Sequence, residues 1–370
     1  MSALFLFGLA LQAALGAGPG PQDDSEEIRI LLGTDRGALR VSGSSLALSG
    51  GGEALSHSRR SPAGTASFRC RGGALNLDAE LVSAPVAVVA AGPLRALGRS
   101  LRGRIEVECD GDRWLAINVL PMESYLAAVL GGEMPATFPL EALKAQAVAA
   151  RSYALMRKIE ARESGRPYHL GATVLSQVYL GLGHEDPRTS AAVAATQGEV
   201  LAVGVTPVEA YFHASCGGRT ESGAAALDRP LDYLQSVPCP CENHSPYAHW
   251  RVELSAAELG KAVGLASPTE CEVISRTGSG RAARLQVRNA GGGTRTILAT
   301  DFRTAIGYQR LPSTWFDVRR DGNRFEFDGR GSGHGVGLCQ WGARIYAERG
   351  EGYRAILAHY YPGTTVEKIY

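Results

Sequence analysis

The 370-residue chain has almost no net charge: 38 Lys and Arg stand against 37 Asp and Glu, leaving +1 with histidine neutral. A footprint on nucleic acid or on an anionic membrane surface needs an excess of basic charge, so neither partner is expected. Beyond the N-terminus the sequence has no stretch of about 20 apolar residues, so no membrane span is expected after that region. It has no internal repeat, and no low-complexity linker after residue 25. Its densest glycine run lacks the Gly-Lys-Ser/Thr ending of a nucleotide phosphate loop. What remains is ordinary globular composition, 45% hydrophobic and 20% charged. Such a chain suits one large domain or two smaller ones, with a core that folds without metal or disulfide.

The apolar N-terminus also lacks something: no Lys or Arg precedes the uncharged run from Ala3 to Ala17. Gly18-Pro19-Gly20-Pro21 and an acidic stretch follow it. The run is short for a span and resembles a signal-peptide core, so residues 1–20 are expected to be a signal peptide. The protein is then exported, to the periplasm or cell envelope. Seven cysteines are compatible with an oxidising compartment. Cys70 and Cys109, both in strand-like segments, are candidate partners. The odd count leaves at least one thiol free or bound to something other than sulfur.

The fold class expected is α+β: a mixed β-rich domain whose helices form a groove, plus an N-terminal β-rich subdomain. Residues 28–120 read as short strands separated by Gly and Ser, ending in the buried-strand pattern Trp114 to Leu120. Pro121 to Leu130 is a short helix candidate with proline at its permitted start. A Gly131–Pro135 break is expected next, then a long helix from Pro139 to Lys158. In that helix Lys144, Arg151 and Lys158 share one face, turned either to solvent or to an anionic or sugar-filled groove. After residue 170, strands are expected at Val174–Leu180, Val200–Val203, Val208–His213, Trp250–Leu254, Arg284–Arg288 and Arg324–Phe327. Helices are expected at Ser190–Ala195, Ser255–Val263, Ala299–Ile306, Gly342–Arg349 and Gly352–Tyr361.

Three segments could carry chemistry. In Gly131-Gly132-Glu133-Met134-Pro135 an acid sits among residues that allow close backbone approach and unusual dihedrals. Cleavage of a glycoside needs a carboxylic acid to protonate the leaving oxygen, with its pKa raised by apolar neighbours such as Val129, Met134 and Phe138. A capping or salt-bridged Glu is the alternative. The second segment, Gly331 to Gly342, brings His334 and Gln340 to one place on a glycine-dense backbone; a core histidine bound to carbonyls is the alternative. The third joins Tyr211 to Glu221 with the Cys239-Pro240-Cys241 cluster. Ser215 or Cys216 with His213 as base is conceivable there, although residues so close along a strand do not automatically face each other. Cys216, Cys239, Cys241 and His244 could bind zinc, or Cys216 could form a disulfide with Cys239 or Cys241.

Together these motifs resemble the SpoIID/LytB family, the stage II sporulation protein D-like and amidase-enhancer-like proteins. The resemblance runs in order through Leu120-Pro121-Met122-Glu123-Ser124-Tyr125-Leu126, Gly132-Glu133-Met134-Pro135 and Glu141 to Ala154. It continues through Ser176-Gln177-Val178-Tyr179, Ser215 to Glu221, and Gly333 to Ala343. It covers roughly residues 100–366. It implies a variable β-rich region at 28–100 and a catalytic domain at 101–370. It also implies lytic transglycosylase activity on peptidoglycan glycan strands stripped of stem peptides by an amidase, with Glu133 as the acid and Lys144 in the active site.

Such an enzyme needs one carboxylate where ordinary glycosidases need two, and no cofactor is required for the reaction. Arg151, Tyr153, Gln177, Tyr179, Ser215, His334 and Gln340 complete the expected substrate-binding set. Some sporulation members bind zinc through Cys and His, which keeps zinc open at the Cys216 cluster. A cell-wall amidase is the implied protein partner. The alternative function is a non-catalytic wall binder that stimulates such an amidase, and a weaker third is a hydrolase using Cys216 or Cys339.

Overall fold

The computed structural model describes residues 27–50, 59–61, 64–173 and 176–370, with Arg59–Ser61 as backbone alone. The expected signal peptide at 1–20 lies outside the described residues. Among those described, no helix is long and apolar enough to cross a membrane. Helices and strands are mixed in an α+β arrangement.

Two sheets build the N-terminal part. In hydrogen-bonded order the larger runs Leu170–Gly171, Glu27–Asp35, Arg113–Pro121, Arg104–Asp110, Val86–Val89, Leu46–Gly50 and Arg59–Ser61. The smaller runs Arg99–Leu101, Leu94–Ala96, Leu39–Ser42, Thr65–Arg71, Ala74–Leu77 and Glu80–Val82. Strand Glu27–Asp35 buries every second residue, Ile28, Ile30 and Leu32, as a one-sided strand should. Strand Arg113–Pro121 is buried continuously from Ala116 to Leu120, because helices cover its second face. Cys70 and Cys109 form a disulfide that ties the smaller sheet to the larger. The boundary expected near residue 100 falls inside this structure, since Arg104–Asp110 pairs with Val86–Val89.

Helix α1 is Met122–Glu133 and helix α2 is Leu140–Glu163. The expected break at Gly131–Pro135 begins later than anticipated: both glycines are helical and Glu133 is the last helical residue. Helix α2 is the spine of the molecule. Leu143, Ala147, Ala150, Tyr153 and Ala154 enter the core beneath the sheets. Ala142, Ala145, Val148 and Ala149 enter a second core with the C-terminal helices. A helix apolar on opposite sides must be enclosed, and its alanines let neighbours approach. Leu140, at the start of the helix, is exposed.

The next helices are α3 (Pro187–Ala195) and α4 (Gly223–Leu227). Segment 176–180, expected as a strand, forms none, and of Val208–His213 only Phe212–His213 pairs, in parallel with Leu338–Cys339. A distal lobe follows, with two three-stranded antiparallel sheets, helix α5 (Ala256–Val263) and helix α6 (Ala299–Ile306) around its own core. Helix α5 opens with a reciprocal Ser255–Glu258 capping box. Helices α7 (Gln340–Glu348) and α8 (Tyr353–Tyr360) close the second core.

Candidate functional site

Glu133 owes its position to the two glycines before it. A Cβ on Gly131 would lie 1.8 Å from the carbonyl oxygen of His184, and one on Gly132 would lie 3.0 Å from that of Val178. The missing side chains therefore let segment 176–184 run against the end of α1. That contact delivers the backbone N–H of Val178 to Oε1 of Glu133 at 2.6 Å. Burial raises the Glu133 carboxyl above its ordinary value of 4.5, and the Val178 hydrogen bond opposes part of the rise.

The acid opens into a cavity of about 300 Å³ walled by Tyr153, Tyr211, Phe212, His213 and His334, with Ser176 at its edge. Glu133 is the single carboxylate lining it among the described residues. Tyr153 stands edge-on to Tyr211, with ring centroids 5.6 Å apart. Arg157 lies over the Tyr153 ring and pairs with the buried Glu209, which also accepts from Tyr211 Oη at 2.5 Å. The aromatic wall is thereby fixed from behind.

Both histidines are held neutral. Burial lowers His213 well below its ordinary value and, with Arg303 adding to the effect, lowers His334 to about 4. His334 Nδ1 accepts from the Val336 N–H at 3.0 Å. His213 Nδ1 lies 3.0 Å from the Val336 carbonyl oxygen, which assigns the proton to Nδ1 and leaves Nε2 an acceptor. That Nε2 is buried with no protein partner.

Other expected site residues lie elsewhere. Arg151 is 1% exposed and grips Glu123 through Nε and Nη2 at 2.8 and 2.6 Å, with Nη1 on the Glu199 carbonyl. It pins α1 to α2 and does not face the cavity. Lys144 pairs with Glu141 at 2.7 Å and lies over the Tyr353 ring, away from Glu133. Gln177 and Tyr179 are buried supports: Gln177 accepts from Tyr125 Oη and donates to the Ala150 carbonyl, and Tyr179 donates to Asn118 Oδ1. Gln340 is 3.5 Å from Gln146 in the seam between α7 and α2. Ser215 is buried, with Oγ directed at Cys241 Sγ.

The expected ligand set is corrected too. His244 is exposed and apart, whereas Cys339 joins Cys216, Cys239 and Cys241. All four Sγ atoms lie within 4.8 Å of one another, with no disulfide among them. None of these cysteines lines the Glu133 cavity, which removes Cys216 and Cys339 as nucleophiles for a substrate held there. Tyr211, Phe212 and His213 were expected in a separate segment, with His213 as a base for Ser215 or Cys216, and not beside Glu133, because a two-residue strand carries no periodic signal. Their adjacency to the glycine-rich run through the parallel pairing with Leu338–Cys339 is purely tertiary. A roomier hollow of about 620 Å³ on the distal lobe contains no acid.

A family model described as stage II sporulation protein matches residues 110–202, the segment containing α1, Glu133 and α2. Stage II sporulation protein D of Bacillus subtilis is 33% identical over 68% of this chain and 76% of its own length. The chain belongs to the stage II sporulation protein D family. An uncharacterised protein of Brachyspira hyodysenteriae is 34% identical, covering 69% of each chain. The amidase enhancer of Bacillus subtilis is 29% identical over 65% of this chain but only 40% of its own length. A second family model, described as Domain of unknown function (DUF8618), matches residues 242–337, which contain the distal lobe. The catalytic candidate thus lies within the segment matched to the family, and the lobe within one without an assigned role.

Proposed function

We infer that the protein acts on the bacterial cell wall as a lytic transglycosylase, cleaving between N-acetylmuramic acid and N-acetylglucosamine in glycan strands freed of stem peptides. Membership of the sporulation protein D family supports the cell-wall role. The observation that carries the chemistry is Glu133, a half-buried acid with a raised pKa and, among the described residues, no companion carboxylate in its cavity.

Glu133 in its acid form protonates the glycosidic oxygen as the bond to muramic acid C1 breaks. The resulting carboxylate takes the proton of the muramic acid C6 hydroxyl as O6 bonds to C1, leaving a 1,6-anhydro end and the acid restored. No water is consumed, so no second carboxylate is needed to activate one. The Val178 N–H steadies the carboxylate formed between the two steps. Tyr153, Tyr211 and Phe212 offer an aromatic face to the sugar ring. With both histidines neutral, no cation opposes the charge building on the sugar. The site of action is the envelope outside the cytoplasmic membrane.

Mass spectrometry of products from peptide-free glycan tests this reading. Anhydro ends from the parent protein and none from a folded Glu133→Gln variant are expected; hydrolytic ends, or undiminished anhydro product from the variant, overturn it. The similarity to an amidase enhancer favours one second reading, a wall binder that speeds an amidase. Glycan binding without new ends, together with acceleration of an added cell-wall amidase, would select it.

A further inference from the structure

The four-cysteine cluster gathers residues that are far apart in the chain. Cys216 follows the Phe212–His213 strand, Cys239 and Cys241 flank Pro240, and Cys339 is the N-cap of α7. Three of them are fully buried and Cys239 is nearly so. A four-thiolate zinc site with bonds of about 2.3 Å places its sulfurs roughly 3.8 Å apart, within the 4.8 Å spread found here.

The surroundings favour sulfur as an anion. The backbone N–H groups of Cys216 and Gly342 both donate to Cys339 Sγ at 3.3 Å. Ser215 Oγ donates toward Cys241 Sγ at 3.7 Å, and Tyr360 Oη is 3.1 Å from Cys239 Sγ. Beside them Arg281 is 1% exposed. Its guanidinium donates to the carbonyls of Cys216 and Arg219 and to Ser279 Oγ, and Nε has no partner. Through Ser279 Oγ it reaches the buried Glu221 carboxylate, which offsets part of its charge. Four thiolates around a dication form a dianion, which a guanidinium at this distance from the Cys216 backbone also stabilises.

We propose that Cys216, Cys239, Cys241 and Cys339 bind one zinc ion in a closed tetrahedral site, with Arg281 of the distal lobe as its charge partner. Thiolates select a thiophilic ion, and a full set of four leaves no open position for substrate or water. The ion is structural. It clamps the strand carrying His213, the Cys239–Cys241 loop and the start of α7, five residues beyond His334. Binding releases the four thiol protons to solvent, and no oxidant is involved. The assignment holds whatever reaction Glu133 performs.

The full chain, purified without added chelator, provides the test. Elemental analysis is expected to give about one zinc per chain, and intact mass under denaturing conditions one disulfide's loss of hydrogen, that of Cys70–Cys109. Exchange with cobalt(II) is expected to produce the sulfur-to-metal charge-transfer bands and intense visible absorption of a tetrahedral thiolate site. Cys339→Ser is expected to abolish stable zinc binding while His244→Ala retains it. Zinc absent from the parent chain with a mass showing further disulfides, iron in place of zinc, or zinc lost with His244→Ala would each overturn the proposal. The parent-chain measurements decide the matter even if Cys339→Ser fails to fold.

Discussion

Val178 donates its backbone N–H to the carboxylate of Glu133 across the end of α1, 2.6 Å from Oε1. The bond favours the carboxylate form, opposing part of the rise that burial imposes, and so steadies the charge left after proton transfer. Replacing Glu133 with Gln keeps the acceptor for Val178 and removes the proton. Glycan cleavage by Glu133→Gln should fall by roughly 10²-fold or more, the contribution usual for a general acid. Product yield from peptide-free glycan, with circular dichroism to confirm folding, checks this.

The same variant has a second consequence. The carboxyl of Glu133 is raised in the folded protein, so its contribution to stability is present below the ordinary value of 4.5 and is lost as pH rises through the raised one. Above the raised value the half-buried carboxylate costs stability that glutamine does not. Glu133→Gln should therefore melt at the parent's temperature or higher at pH 7, with the difference shrinking near pH 4. Cleavage by the parent should decline as pH climbs through the raised value, because the acid form is lost.

Gly131→Ala tests the approach of segment 176–184. The new methyl would meet the His184 carbonyl, and relieving that clash should cost about 1–3 kcal/mol while shifting Val178 away from Glu133. Gly183→Ala is the control, since a Cβ there meets nothing within 4 Å. Urea denaturation and cleavage assays should show both stability and activity falling in the first variant, with the second close to the parent in stability.

Arg151 and Lys144 share a helix face but should behave differently. Arg151→Ala leaves Glu123 without its buried partner and should destabilise the fold by roughly 3–5 kcal/mol. Lys144→Ala removes a partly exposed i,i+3 pair and should change stability by about 0.5 kcal/mol or less. Paired denaturation curves separate them.

Acid sensitivity should come from histidine. Burial lowers His169 to about 3 and His334 to about 4, against an ordinary value of 6.5. The unfolded chain therefore binds more protons below 6.5, and each group removes up to about 1.4 kcal/mol per pH unit as pH falls toward its folded value. Urea midpoints should drop between pH 7 and 5. His169→Asn, which keeps an acceptor near the Arg29 N–H, should flatten that slope.

Some of this was legible in the chain. The period-two pattern at Ile28, Ile30 and Leu32 and the apolar stripe of α2 announce their elements because burial is periodic there. The glycines before Glu133 were visible, but their purpose was not: helix propensity suggests a break, while the helix keeps them for the sake of a neighbour distant in sequence. Lys144, Arg151 and Lys158 share a face by geometry, yet which side faces the groove depends on packing from α1, α3 and α8. Strands Pro268–Arg276 and Phe316–Asp321 escaped notice because their outward residues are polar or charged. The fourth cysteine was hidden because Cys339 lies within a glycine motif, 98 residues beyond Cys241.

The distal lobe leaves the body and returns to it almost at one point. Tyr247 and Gly331 are hydrogen-bonded at 2.7 Å, and Trp250 faces Gly329 across paired strands. A short turn joining those two positions would close the rest of the fold without the lobe. What such a turn could not restore is Arg281, the lobe's side chain against the cysteine cluster. Excising the lobe would therefore strip the cluster of the guanidinium that holds the Cys216 carbonyl, so the lobe is bound to the body by that contact as well as by its stem.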